Sequence, residues 1–149
     1  MNALIALPQW AALPDIGLYM DQVMTLMERT FEPGEITKSM VNNYVKVGLI
    51  KRPAGKKYDR EQLAQLVMIG VLKKALSMED IARTLSLLCD SGIQEGYERF
   101  IALAEQVMAV LGDGCAMESV AGDIRERAVR SAIAAAVCAM HARRLLALA

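Results

Sequence analysis

Residues 36–58 read ITKSMVNNYVKVGLIKRPAGKKY. Thr37 suits the N-cap of a helix, because its hydroxyl can accept an orphan backbone N–H, and Gly48 suits the end, where a left-handed residue closes the last turn. A helix over 37–47 advances about 100° per residue. Lys38, Ser39, Asn42, Asn43 and Lys46 then share one arc, and Ile36, Met40, Val41, Tyr44, Val45 and Val47 fill the other. Every side chain on the first arc is a cation or a small hydrogen-bonding group. Directly after it, Lys51, Arg52, Lys56 and Lys57 flank Pro-Ala-Gly, which suits the bend of a short hairpin with Pro53 at the second and Gly55 at the fourth position of a type I turn.

Such an arc suits a helix laid in a DNA major groove. Asn can address adenine with two hydrogen bonds, Ser can reach a base or a phosphate, and Lys neutralises phosphates. Between residues 36 and 60 seven basic residues stand against Asp59 alone, within a chain whose 17 basic and 17 acidic residues balance. A charge run is ordinarily a solvated face without a partner. Here it coincides with a helix-loop pattern that can use it. Upstream, a helix over 17–29 and the Pro-Gly turn of 30–35 complete a helix-turn-helix, and the basic hairpin has the place of a wing resting on the phosphate backbone. Asn42, Ser39 and Asn43 are the expected base readers. Lys38, Lys46, Lys51, Arg52, Lys56, Lys57 and Arg60 are the expected phosphate contacts, with Thr37 at the helix start counted among the DNA-facing residues. Tyr44 and Tyr58 are expected to pack beneath the wing.

Downstream, Asp59 and Gln62 have capping-box spacing for a helix through Leu76, and Ser77 with Asp80 has the same spacing for one through Leu88. Apolar residues from Ile93 to Leu111 recur at helical spacing opposite Gln94, Glu95, Glu98, Glu105 and Gln106. After Gly-Asp-Gly at 112–114, one long helix is expected from about Met117 to the end. Between Arg130 and His141 it is apolar nearly all round, so it has to be covered on two sides: by the 93–111 helix and, on the other face, by a second copy of the chain in a homodimer, the alternative being a central helix buried within a monomeric bundle. The fold class expected is mostly α, a winged helix-turn-helix followed by a C-terminal helical segment ending in one long helix. Its domains are 8–90 for DNA binding and 91–149 for dimerisation or effector response.

Composition narrows the chemistry. The 149 residues are 54% hydrophobic and 23% charged, which suits a packed core and excludes disorder. With one His and three scattered Cys, most zinc chemistry and His-based acid–base catalysis drop out. Cys138 and His141 lie three apart on one helix, but two ligands do not make a metal site. No phosphate loop, nucleophile with its base, or dinucleotide fingerprint is present, so no enzymatic activity and no cofactor are expected. The N-terminus lacks the basic region of a signal peptide, and no stretch is long enough to span a membrane; the odd cysteine count suits a reducing, cytoplasmic setting.

Residues 36–85 resemble the DNA-binding half of MerR-type regulators, in which a recognition helix ends in Gly-Leu-Ile or Gly-Leu-Leu, a wing closes on basic-basic-Tyr, and a later helix opens with Ser-x-x-Asp/Glu-Ile. The matching residues are Gly48-Leu49-Ile50, Lys56-Lys57-Tyr58 and Ser77-Met78-Glu79-Asp80-Ile81. More closely, the chain is similar to a bacterial family catalogued as domain of unknown function 1836, whose opening matches Trp10, Leu13-Pro14-Asp15-Ile16 and Leu18-Tyr19-Met20-Asp21-Gln22. The resemblance spans residues 8–88 and implies a MerR-like winged helix without naming a target or an effector. Asn42-Asn43-Tyr44 replaces the usual Arg-Tyr-Tyr, so no target sequence carries over. The alternative function is a helical protein-interaction adaptor that keeps this shape without binding DNA.

Overall fold

The computed structural model describes residues 5–113 and 123–148. They form a single 3-10 turn at Trp10–Ala12 and the helices α1 (Met20–Thr30), α2 (Lys38–Lys46), α3 (Arg60–Leu72), α4 (Met78–Leu88), α5 (Ile93–Asp113) and α6 (Ile124–Leu148). The fold is mostly α. Among the described residues there is no strand, only the isolated antiparallel bridges Leu18–Tyr58 and Ala54–Lys57. Two compact units divide within α3, one being Ile5–Gly70 and the other beginning at Val71, whereas the sequence places a boundary near residue 90.

In the first unit the helices end where local chemistry says they should. The Thr37 hydroxyl accepts the Met40 N–H at 3.2 Å. At the other end of α2, Gly48 (φ 80°) lets Leu49 N–H reach the Tyr44 carbonyl at 2.9 Å while its own N–H reaches that of Val45 at 3.1 Å. This double closure satisfies the last carbonyls of the helix. At the start of α3, Gln62 N–H donates to Asp59 Oδ1 at 2.9 Å and Gln62 Oε1 accepts from the Asp59 N–H at 2.7 Å, a reciprocal capping box. Leu63, Ala64, Leu66, Val67, Met68 and Ile69 of α3 are fully buried, so this helix is the core against which the unit packs. Gly70 is required by closeness: a Cβ there would lie 2.5 Å from Cζ of buried Phe31.

Helix α3 stops at Leu72 rather than the expected Leu76. The chain leaves it through tightened turns, with Lys74 N–H on the Val71 carbonyl at 3.2 Å and Ala75 N–H on the Leu72 carbonyl at 3.1 Å. Ser77 must be extended (ψ 162°) to cap α4, where its hydroxyl accepts the Asp80 N–H at 3.2 Å, and that conformation cannot continue the preceding helix.

In the second unit, α4, α5 and α6 pack on one another. Tyr97, Phe100, Ile101 and Ala104 of α5 and Val129, Ile133, Ala136 and Val137 of α6 are buried. The opposite side of α6 is only partly covered: Ala128, Ser131 and Ala135 are exposed, and Ala132, Cys138 and Ala139 are half-buried. Asp123 caps this helix through its Oδ1 on the Glu126 N–H at 2.9 Å. Cys115, and the expected helix start near Met117, lie outside the described residues. None of the described helices is long and apolar enough to cross a membrane.

Candidate nucleic-acid interface

Helix α2 spends little of its surface on the core. Of its residues only Val41 and Tyr44 are buried, while Lys38, Ser39, Asn42, Asn43 and Lys46 are all exposed. Exposed Lys51, Arg52, Lys56 and Lys57 follow in the loop 51–58. Among the described residues Lys46, Lys51, Arg52 and Lys56 form no ion pair, so their charge is open to a partner.

The loop differs from the expected hairpin. Its turn runs over Ala54–Lys57, with Gly55 (φ 57°) and Lys56 (φ 62°) as the central residues, and closes by Lys57 N–H on the Ala54 carbonyl at 3.0 Å. Positive φ at both central positions is the type I′ arrangement, not the type I turn centred on Pro53 that the sequence suggested. Type I′ twists in the sense that suits two antiparallel flanks, and Gly55 takes its first left-handed position without steric cost. The flanks are tied down separately. Tyr58 exchanges both backbone hydrogen bonds with Leu18, at 2.8 and 2.9 Å. Buried Gln62 sends its Nε2–H to the Lys51 carbonyl at 2.7 Å. Tyr44 and Tyr58 are buried beside this loop, and burial pushes both hydroxyls above the ordinary phenol range.

Helix and loop face each other across an open groove of about 570 Å³, lined by Met20, Asn42, Val45, Arg52, Pro53, Gly55, Lys56 and Tyr58. Asn42 thus shares this groove with Arg52 and Lys56. Ser39, Asn43 and Lys46 do not line it; they occupy the rest of the polar arc of α2.

Four of the expected site residues are already engaged within the chain. Thr37 uses its hydroxyl as the N-cap. Lys38 pairs with Asp21 of α1, both side chains being well exposed, and such a pair adds little stability. Lys57 lies on Tyr19, its Nζ 5.2 Å from the ring centre, with its stem against Gly17, where a Cβ would come within 2.9 Å of Lys57 Cβ. Arg60 departs furthest from a phosphate contact. Its guanidinium sits 5.5 Å from the Trp10 ring centre, its Nε–H donates to the Leu13 carbonyl at 3.1 Å, and Asp15 lies 4.0 Å away. It fastens the arm before α1 to α3. Asp21, Tyr19 and Gln62 shape this surface, yet only the capping role of Gln62 had a signal in the sequence.

Residues 8–102, the greater part of the chain, match the family described as domain of unknown function (DUF1836). The chain belongs to that family. The DUF1836 match takes in the arm, the α1–α2 pair, the basic loop, α3, α4 and the first half of α5, reaching beyond residue 88, where the resemblance read from the sequence stopped. No curated protein and no solved structure matches the chain.

Proposed function

We propose that this DUF1836 protein is a sequence-specific double-stranded DNA-binding protein that acts in transcription regulation. On this reading α1 and α2 with the 51–58 loop form a MerR-like winged helix-turn-helix. Helix α2 enters the major groove and the loop holds the phosphate backbone. The observation that carries the proposal is the shared exposed surface of α2 and the loop, where small hydrogen-bonding side chains alternate with cations and four of those cations have no internal partner. The partly covered side of α6 supports a homodimer through the C-terminal helices, the arrangement that lets a helix-turn-helix protein read two half-sites.

A mobility-shift assay on random duplex DNA at low and moderate salt tests this. Binding that falls steeply with salt is expected, since each neutralised phosphate releases counterion. Absence of any shift at low salt would sink the DNA reading and leave the adaptor. Selection of bound duplexes from a random pool then gives the site, and a two-fold symmetric site reports the dimer.

A further inference from the structure

The groove between α2 and the basic loop divides the exposed polar residues into two groups, and the division carries chemical meaning. Arg52 and Lys56 stand on its loop wall and Asn42 on its helix wall, while Met20, Val45, Pro53 and Tyr58 give it an apolar floor. Two cations and an amide over a strip of half-buried carbon complement a chain that alternates anionic and apolar surface, as a phosphodiester between two sugars does.

The backbone at Lys56 adds a second, independent observation. Lys56 is the only described residue other than glycine with positive φ, at 62°. Glycine or asparagine fits the second central position of such a turn with less strain. A lysine held there against its conformational preference, lining the groove and forming no ion pair among the described residues, is consistent with a side chain placed for a ligand.

We propose that this groove seats one phosphodiester of the bound DNA strand, with Arg52 and Lys56 as its cations and the Asn42 amide as its neutral donor. The assignment rests on the DNA reading above but changes the part played by Asn42, from reader of a base to holder of the backbone. Base discrimination then falls to Ser39 and Asn43, which lie off the groove on the same helix. Phosphate contacts fix register and carry no sequence information directly.

The test uses the full chain, its selected duplex and a scrambled duplex of equal length. Asn42→Ala is expected to weaken both duplexes by the same factor, about tenfold, leaving their ratio unchanged. Asn43→Ala is expected to lower that ratio. Lys56→Gly is expected to weaken both and to reduce the salt slope by about one unit, while melting no lower than the wild type because glycine suits φ 62°. Methylphosphonate scanning should find one phosphate whose neutralisation costs wild type most and costs Arg52→Ala and Lys56→Gly much less. If Asn42→Ala instead abolishes the preference for the selected duplex, or if no single phosphate couples to both Arg52 and Lys56, the groove assignment is wrong although the protein binds DNA. If wild type binds neither duplex at low salt, the DNA reading itself has failed.

Discussion

Helices α2 and α3 begin only 22 residues apart, at Lys38 and Arg60, yet they use their surfaces in opposite ways. In α3, Leu63, Ala64, Leu66, Val67, Met68 and Ile69 have no exposed surface, whereas α2 is anchored by Val41 and Tyr44 alone. Helix α3 is scaffold. Helix α2 is a display element, held by its caps and two side chains so that a continuous polar arc faces solvent. Where stability and surface chemistry are separated in this way, substitutions can alter binding without altering folding.

The comparison breaks most readily at its two extremes. Leu66→Ala should destabilise the protein by about 2–5 kcal/mol, the range for deleting a fully buried leucine side chain with incomplete collapse of the cavity. Asn43→Ala should change stability by less than about 0.5 kcal/mol. Urea denaturation followed by circular dichroism measures both, and comparable losses would show that α2 is not a display element. Next in size is Gln62, which belongs to the scaffold but reaches across to the loop. Gln62→Ala removes the partner of the Asp59 N–H and of the Lys51 carbonyl in a part-buried setting, for about 0.5–1.5 kcal/mol. Hydrogen exchange should quicken at the amides of Lys57 and Tyr58, which the loop protects, before it quickens in α2.

The scaffold and the display helix were not equally legible in the sequence. Thr37, Gly48, Ser77 and the Asp59–Gln62 pair announced their helix ends because a cap is decided by side chains within a few residues of the backbone groups they satisfy. The alternation of polar and apolar residues likewise placed Val41 and Tyr44 inside. The pairing of cations was not legible. Lys38 finds Asp21 17 residues away and Arg60 finds the Leu13 carbonyl 47 residues away, and no local spacing encodes such meetings. The loop turn slipped by two positions for a related reason. Pro53 and Gly55 satisfy a type I turn locally, but the flanks are fixed from outside by Leu18 and Gln62, and the turn that fits between those anchors uses Gly55 and Lys56. The all-round apolar pattern read for α6 does not become all-round burial: α4 and α5 pack against it, and Ala128, Ser131 and Ala135 stay exposed, small side chains that show little apolar surface.

Smaller effects sharpen the comparison within the display surface. Lys57 rests on Tyr19, whereas Arg52 is unpaired, so the two cations should separate in a stability measurement. Lys57→Ala should cost about 0.5–1 kcal/mol through loss of the exposed cation–ring contact, and Arg52→Ala close to nothing. Both should weaken duplex binding for all sequences alike and flatten the salt slope by about one unit each. If Lys57→Ala leaves the slope unchanged, that lysine serves Tyr19 alone.

The last effect appears only at high pH and concerns protons. Burial raises the hydroxyls of Tyr44 and Tyr58 at the display surface and of Tyr97 in α5, and it pushes the Cys89 thiol from 9.0 to about 11. In each case the neutral form is favoured in the folded chain. The resulting stabilisation is complete below the unfolded-state value, near 10 for tyrosine and 9 for cysteine, and is lost as the pH rises through the folded-state value. Melting temperature should therefore show no loss from these groups between about pH 7 and 8.5 and should fall above about pH 10. Cys89 gives the cleaner reading, because Gly96 leaves its sulfur so little room that a Cβ there would stand 2.6 Å from it. At pH 9 the raised value leaves much less thiolate than in the unfolded chain, so alkylation by iodoacetamide, located by mass spectrometry, should slow at least several-fold on folding. An equal rate in native and denatured protein would mean that the α4–α5 junction opens freely, and that the scaffold is less closed there than it is along α3.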